Sequence, residues 1–250
     1  MKKTSSELKR LAREHLSNNW GLIIGANALL FGIAFVCVIP FVTSIALYPT
    51  LAQYYISMIA RFIISLICIL FSVGISSMHM NLARGTYCSM NDFAFAFRNR
   101  PMRFIGAYIL LAILTNLPML PCNLLTTYLR SHPSLGLKSV AVLLGIAGFV
   151  VELIIVYRYF IVYYLLIDNP DLKVIDAFHQ CASLMKGNKG RAFYLSLSFI
   201  GMVLLGILSF GVGMLWIAPY IQQTKVELYC TILDEQPVVQ TADNFEDYVI

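Results

Sequence analysis

Six stretches of the chain, at about 20–45, 62–80, 104–125, 140–167, 193–210 and 214–233, run close to the roughly twenty apolar residues that a helix needs to cross a bilayer. In lipid every backbone N–H and C=O must find its partner within the protein, so single runs of this kind are helices. The expected fold is therefore an all-α membrane protein. Six transmembrane helices form one domain over residues 1–233, and an acidic, flexible cytoplasmic tail covers 234–250. Composition agrees, because 59% of the residues are hydrophobic and only 12% are charged, about half the share of an ordinary soluble domain. Gly211-Val212-Gly213 separates the last two runs so briefly that they read as a helical hairpin.

Lys and Arg set the orientation, since loops facing the cytoplasm retain positive charge. Lys2, Lys3, Lys9, Arg10 and Arg13 precede the first span, Arg84, Arg98, Arg100 and Arg103 follow the second, and Lys173, Lys186, Lys189 and Arg191 follow the fourth. Tyr48 to Tyr55 carries none, and the loop after the third span only Arg130 and Lys138. Both termini are expected to be cytoplasmic, in the plasma membrane. The formal net charge of +5 then points to anionic headgroups rather than nucleic acid. The first span is too long, and lacks the small-residue site, for a cleavable signal peptide. The six cysteines stand singly, without metal-ligand or disulfide-framework spacing, and read as small buried hydrophobes.

Three approaches to the membrane look alike: HLSNNWGLIIGAN from His15, AFRNRPMRFIGAY from Ala96 and LMKGNKGRAFYLSL from Leu184. Each joins an amphipathic segment to a polar, Asn-containing elbow and then enters a span, at Trp20, Phe104 and Phe193. Three units of cytoplasmic-side interfacial helix plus hairpin would have this spacing, although elbows favour Asn, Gly and Lys in any case. Thr4 and Glu7 form a capping box, after which Leu8, Leu11, Ala12 and Leu16 share a face opposite Lys9, Arg10 and Arg13, suited to the inner leaflet. In the third unit Asn169 caps a helix that Pro170 begins and Gly187 ends. Its apolar face is Val174, Ile175, Phe178, Cys181, Ala182 and Met185. The elbow cations Lys186, Lys189 and Arg191, with Asn188, are candidates to hold a lipid headgroup.

Glu152 and Arg158 lie inside the fourth span, where an ionised side chain costs a few kcal/mol and needs a partner. With Ile167 at the inner boundary, Arg158 falls roughly 13 Å and Glu152 about 22 Å deep, at about 1.5 Å per residue. Gln223, Glu227 and Thr231 make a polar i, i+4 stripe on the sixth span, with Lys225 off it. The expected interior pairs are Arg158 with Glu227 and, nearer the outside, Glu152 with Arg61 or Asn116. Pro118 and Pro121 should kink the third span and free carbonyls there. Such residues serve either as register-fixing pairs or as the lining of a polar path.

Catalytic, metal and cofactor motifs are not found. Ser77 and His79 stand two apart on a helix and face different ways, unlike a nucleophile and its base. His15, His132 and His179 have no ligand spacing, and Gly187-Asn188-Lys189-Gly190 lacks the strand and glycines of a phosphate loop. The glycines between Gly201 and Gly213 suit a close helix approach without a defined dimer motif.

The D-x-P-D-L run at Asp168 to Leu172, L-M-K-G-N-K at Leu184 to Lys189, S-F-I-G at Ser198 to Gly201 and G-x-G-x-L-W with P-Y at Gly211 to Tyr220 resemble a family of bacterial integral membrane proteins, domain of unknown function 975. SSELKRLAREHLSNNWG is similar to that family's start. The resemblance implies a multi-span bacterial membrane protein and supplies no catalytic residues. The expected function is non-enzymatic: binding anionic membrane lipid, a membrane-protein partner or another copy of the chain, in envelope or lipid homeostasis. The alternative is a transporter or permease component in which Glu152, Arg158 and Glu227 line a path for a small or amphiphilic solute.

Overall fold

The computed structural model of the protein describes residues 3–47, 51–132 and 134–235, and every regular element among them is helical. The expected acidic tail lies outside the described residues, apart from its first two positions. Helix α1 (Ser5–Leu16) begins with the expected capping box: Glu7 N–H donates to Thr4 Oγ1 (3.3 Å), and Thr4 N–H donates to Glu7 Oε2 (2.6 Å). Two donors that the first turn leaves unpaired are satisfied in this way. After the Ser17–Asn19 elbow the chain continues as α2 (Trp20–Leu47), whose first part is bent 95° from α1. Helix α3 (Leu51–Ala83) runs back beside α2.

The second unit folds back on α3 through a 3-10 turn, Met90–Ala94, and α4 (Phe95–Arg98). Gly74 is what admits it: a Cβ there would stand 2.0 Å from the Phe93 carbonyl oxygen. Phe71 stacks on Phe93 and tilts against Phe97, with ring centroids 4.6 and 4.9 Å apart. Helix α5 (Pro101–Asn116) then leads through a 3-10 turn at Leu117–Met119 into α6 (Leu120–Ser131), so the break falls at Pro118 and Pro121 as expected. Helix α7 (Leu135–Arg158) returns along this pair, with Gly148 so close that a Cβ would come within 2.8 Å of the Pro118 carbonyl oxygen.

Three residues break the helix after Arg158 before α8 (Val162–Asp168). Helix α9 (Val174–Leu184) begins later than expected, because residues 169–173 form a loop and Lys173, not Asn169, is its N-cap. Gly187 turns the chain with φ +86°. Ala177, Phe178, Cys181 and Met185 form the buried side of α9, whereas Ile175 faces outward. Helices α10 (Lys189–Leu197) and α11 (Ile200–Leu208) follow, and α12 (Met214–Asp234) closes the fold. The α11–α12 hairpin is tight at its glycines, since a Cβ on Gly206 would lie 2.7 Å from Met214 Sδ. Helix α12 thus extends one residue into the segment expected to be tail.

Four stretches are long and apolar enough to cross a membrane: Met58–Ala83, Pro101–Leu129, Leu135–Asp168 and Lys189–Leu208. A fifth arises if the bent pair Ser5–Leu16 and Trp20–Phe35 counts as one. The expected sixth, α12, does not reach that apolarity, because Gln222, Gln223, Lys225 and Glu227 interrupt it. It is covered instead by protein, packing on α1, α2, α3 and α11. Among the described residues the architecture is therefore four or five apolar helices together with one more polar inner helix, α12.

Burial is concentrated at one end of this bundle. Along α3, Leu70 and Val73 to Met80 are buried, while Met58, Ile59, Phe62 and Ile63 are exposed. Helix α7 likewise leaves Val142, Leu143, Ile146 and Phe149 exposed, whereas α8 buries Val162, Tyr164, Leu165 and Leu166. The packed end holds α1, α8, α9, the start of α10 and most of α12. At the other end, apolar surface faces outward as it would toward acyl chains.

Candidate functional site

The packed end is organised around a chain of polar side chains on α12. His79 Nδ1–H donates to Gln223 Oε1 (2.7 Å), and Gln223 Nε2 donates to Glu227 Oε1 (2.9 Å) and to the His79 carbonyl (3.3 Å). His15 Nδ1–H donates to the same Glu227 oxygen at 2.7 Å. Three elements, α1, α3 and α12, are thereby joined by four side chains, and Gln223, Glu227 and His79 are buried. An i, i+4 spacing places Gln223, Glu227 and Thr231 on one stripe: Gln223 donates to the Glu227 carboxylate, and Thr231 Oγ1 donates to the Glu227 backbone carbonyl (2.7 Å). His79 Nε2 is buried with no hydrogen-bond partner among the described residues. Beside this chain, Gln222 Nε2 donates to Ser76 Oγ (3.0 Å), so the Gly74–His79 run faces α12 through both glutamines.

This geometry corrects the expected pairings. Glu227 is held by His15 and Gln223, not by Arg158. Arg158 closes the last turn of α7, where its charge opposes the helix dipole, and its guanidinium lies 5.8 Å from the Tyr159 ring centre. The second expected coupling is also not formed: neither Arg61, which is exposed, nor Glu152, which is half-buried, makes an ion pair among the described residues. Asn116 donates back to the Ala112 carbonyl of its own helix (2.8 Å). Helix α1 differs too, because Leu8, Ala12 and Leu16 are buried against the bundle, chiefly α12, rather than presented to lipid.

A second cluster clamps the loop after α8. Asp168 accepts from Arg84 Nη2 (2.7 Å) and from the Tyr229 hydroxyl (2.5 Å). Arg103 Nη2 donates to the carbonyls of Asn169 and Leu172, both at 2.7 Å, and Arg100 reaches the Pro170 carbonyl (3.3 Å) and Asp171 (3.1 Å). The D-N-P-D-L run is thus a docking loop for three arginines.

At the third elbow the four candidates separate into two roles. Arg191 grips Glu235 with both nitrogens (2.7 and 3.1 Å), donates to Asn188 Oδ1 (3.1 Å) and reaches the Lys3 carbonyl (3.3 Å). Asn188 is buried and donates to the Leu184 carbonyl (2.9 Å). These two fasten the start of the chain to the end of α12. Lys186 is exposed and Lys189 half-buried, and neither has a carboxylate partner among the described residues.

A family model described as "Protein of unknown function (DUF975)" matches residues 1–236. The chain belongs to that family. No curated protein and no solved structure gives a match. In this DUF975 chain the matched region takes in both clusters, from Lys3 through Glu235. His15 is what the residue pattern could have revealed. It stands four residues after Leu11 and seven after Leu8, on the apolar side of α1, where a polar side chain requires a partner in the bundle.

Proposed function

We propose that this chain is a non-enzymatic, multi-span protein of the bacterial plasma membrane that binds anionic lipid on its cytoplasmic face, in envelope or lipid homeostasis. A membrane partner presenting similar charge would use the same face. The carrying observation is the attitude of α1. It stands 95° from the start of α2, so if α2 follows the membrane normal α1 lies in the plane of the interface. Its apolar side is held on α12 by His15 and Glu227, leaving Arg10 and Arg13 exposed. Both ends of the described chain meet there, since Arg191 bridges Lys3 and Glu235.

Charge at that end supports the reading. Glu14, Asp168, Asp171 and Glu235 are each held by an arginine. Arg13, Arg98, Lys173 and Lys186 are exposed without a carboxylate partner among the described residues. Cations next to an anionic surface contribute about 1 kcal/mol each. The transport alternative relied on Glu152, Arg158 and Glu227 sharing a path, and no ion pair joins them among the described residues.

The test is native mass spectrometry of gently solubilised protein with phosphatidylglycerol, comparing wild type with the Lys186→Gln/Lys189→Gln variant. Two cations at about 1 kcal/mol each correspond to an affinity loss of roughly 30-fold. Unchanged retention in that variant would overturn the elbow's role.

A further inference from the structure

The geometry points to a bound anionic phospholipid whose headgroup phosphate is held by Lys225, in a cleft that α12 forms with α8, α10 and α11. This rests on the anionic-lipid reading above and gives it a defined site inside the bundle rather than on the elbow.

Residues two apart on a helix are separated by about 200°, so Lys225 points away from both Gln223 and Glu227. It falls instead on the ridge of Ile221, one turn earlier. Two cavities flank that ridge and share both residues as wall. One, of about 240 Å³, is lined by Ser196, Phe199, Ile200, Val203 and Leu204 of α10, α11 and the turn between them. The other, of about 340 Å³, is lined by Tyr164 of α8 and by Met214, Ala218 and Gln222 of α12. Beyond the lysine, the first lies between α11 and α12 and is chiefly apolar, while the second lies between α8 and α12 and is walled in part by Tyr164 and Gln222.

Neighbours fix the level of Lys225. Glu227, two residues on, is bonded to His15 of α1, the helix that lies across the interface. Lys225 is therefore at headgroup height rather than at mid-bilayer. Its ammonium lies 5.7 Å from the Phe160 ring centre and makes no ion pair among the described residues. A lysine inside apolar walls is ordinarily paired. Lys9 lines neither cavity, but its Nζ sits 4.2 Å from the centre of the Phe199 ring, which walls the smaller one, and donates to the Ser198 carbonyl at 2.8 Å. An ammonium has three donors, so Lys9 keeps capacity for a further acceptor. A cation at headgroup height, set between largely apolar walls, matches an anion that carries acyl chains. A free anion would gain nothing from the apolar walls.

The experiment adds phosphatidylglycerol or phosphatidylcholine to the full chain in mild detergent and reads retained lipid by native mass spectrometry. Wild type is compared with Lys225→Met, Lys225→Arg and Lys186→Gln/Lys189→Gln. Lys225→Met suits the apolar walls, so its fold should persist, and Lys225→Arg keeps the charge. The expected result is one tightly held phosphatidylglycerol in wild type, weakened at least tenfold by Lys225→Met and restored by Lys225→Arg; the elbow variant keeps that one lipid and loses only the further, surface-held phosphatidylglycerol. Equal retention in Lys225→Met, equal retention of phosphatidylcholine, or a Lys225→Met effect confined to oligomeric mass would each overturn the proposal. Loss from the elbow variant alone would leave the surface reading standing and remove this one.

Discussion

Replacing Glu227 by Leu tests whether the polar chain under α1 is what holds that helix in place. The substitution removes an acceptor used at 2.7 Å by His15 and at 2.9 Å by Gln223. The two donors do not suffer equally. The His15 side chain is 32% exposed, so water can replace the carboxylate there, whereas Gln223 is fully buried. Gln223 keeps its longer bond to the His79 carbonyl (3.3 Å), which leaves one amide hydrogen stranded. A hydrogen bond to a charged group contributes about 1.5–3 kcal/mol, and a stranded buried donor costs about 1–3 kcal/mol. Because Leu fills most of the volume, about 2 kcal/mol is expected, below the 3–5 kcal/mol of a wholly buried broken pair. The loss should fall on α1, since α12 retains its other contacts. Local opening of α1 then becomes about 30-fold more frequent, read as faster amide exchange over residues 5–16 while α3 is unchanged. Glu14→Gln, which removes an exposed pair with Arg10, should have little effect. Unchanged α1 exchange in correctly folded Glu227→Leu protein would refute the reasoning.

Two further perturbations probe other parts of the packed end. Gly74→Ala should displace the Met90–Ala94 turn, because the new Cβ would sit 2.0 Å from backbone that cannot rotate away. A loss of stability of about 3 kcal/mol or more is expected, and a melting temperature like that of wild type would contradict the close approach. Hydrogen bonding from the Thr4 backbone, then from its side chain, holds the Glu7 carboxyl below its ordinary value of 4.5. A depressed carboxylate stabilises above its unfolded pKa and loses that contribution as pH falls through the folded one. The start of α1 should therefore be insensitive between pH 7 and 5 and fray below about 4.5, with Glu7→Gln removing the step. Identical acid responses of the two proteins would show that the cap carries no such linkage.

What could be read from sequence was what depends on neighbours along the chain. The Thr4–Glu7 box, the break at Pro118 and Pro121 and the tight turn at Gly211 all follow from local backbone chemistry. The partners of Glu227 and Arg158 did not follow, because they depend on which helices meet. The depth assigned to Arg158 rested on one assumption about the run that follows it. It assumed that the apolar run to Ile167 lay wholly in lipid, yet Val162, Leu165 and Leu166 are buried by protein. Helix α7 alone has 24 residues, about 36 Å at 1.5 Å each, enough for a core of about 30 Å. Arg158 is thus the residue at which α7 stops.

Helix α12 presents the same ambiguity in reverse. Hydropathy measures how well a side chain suits an apolar solvent, and it cannot distinguish acyl chains from the inside of a bundle. A segment buried in protein can be polar wherever its neighbours supply donors and acceptors, as His15, His79 and Ser76 do for Glu227, Gln223 and Gln222. Gln223 and Glu227 are thus tolerated because protein surrounds them. Lys225 differs from its neighbours on this helix: it walls two cavities and has no carboxylate partner among the described residues, which is why the proposed anion is placed there.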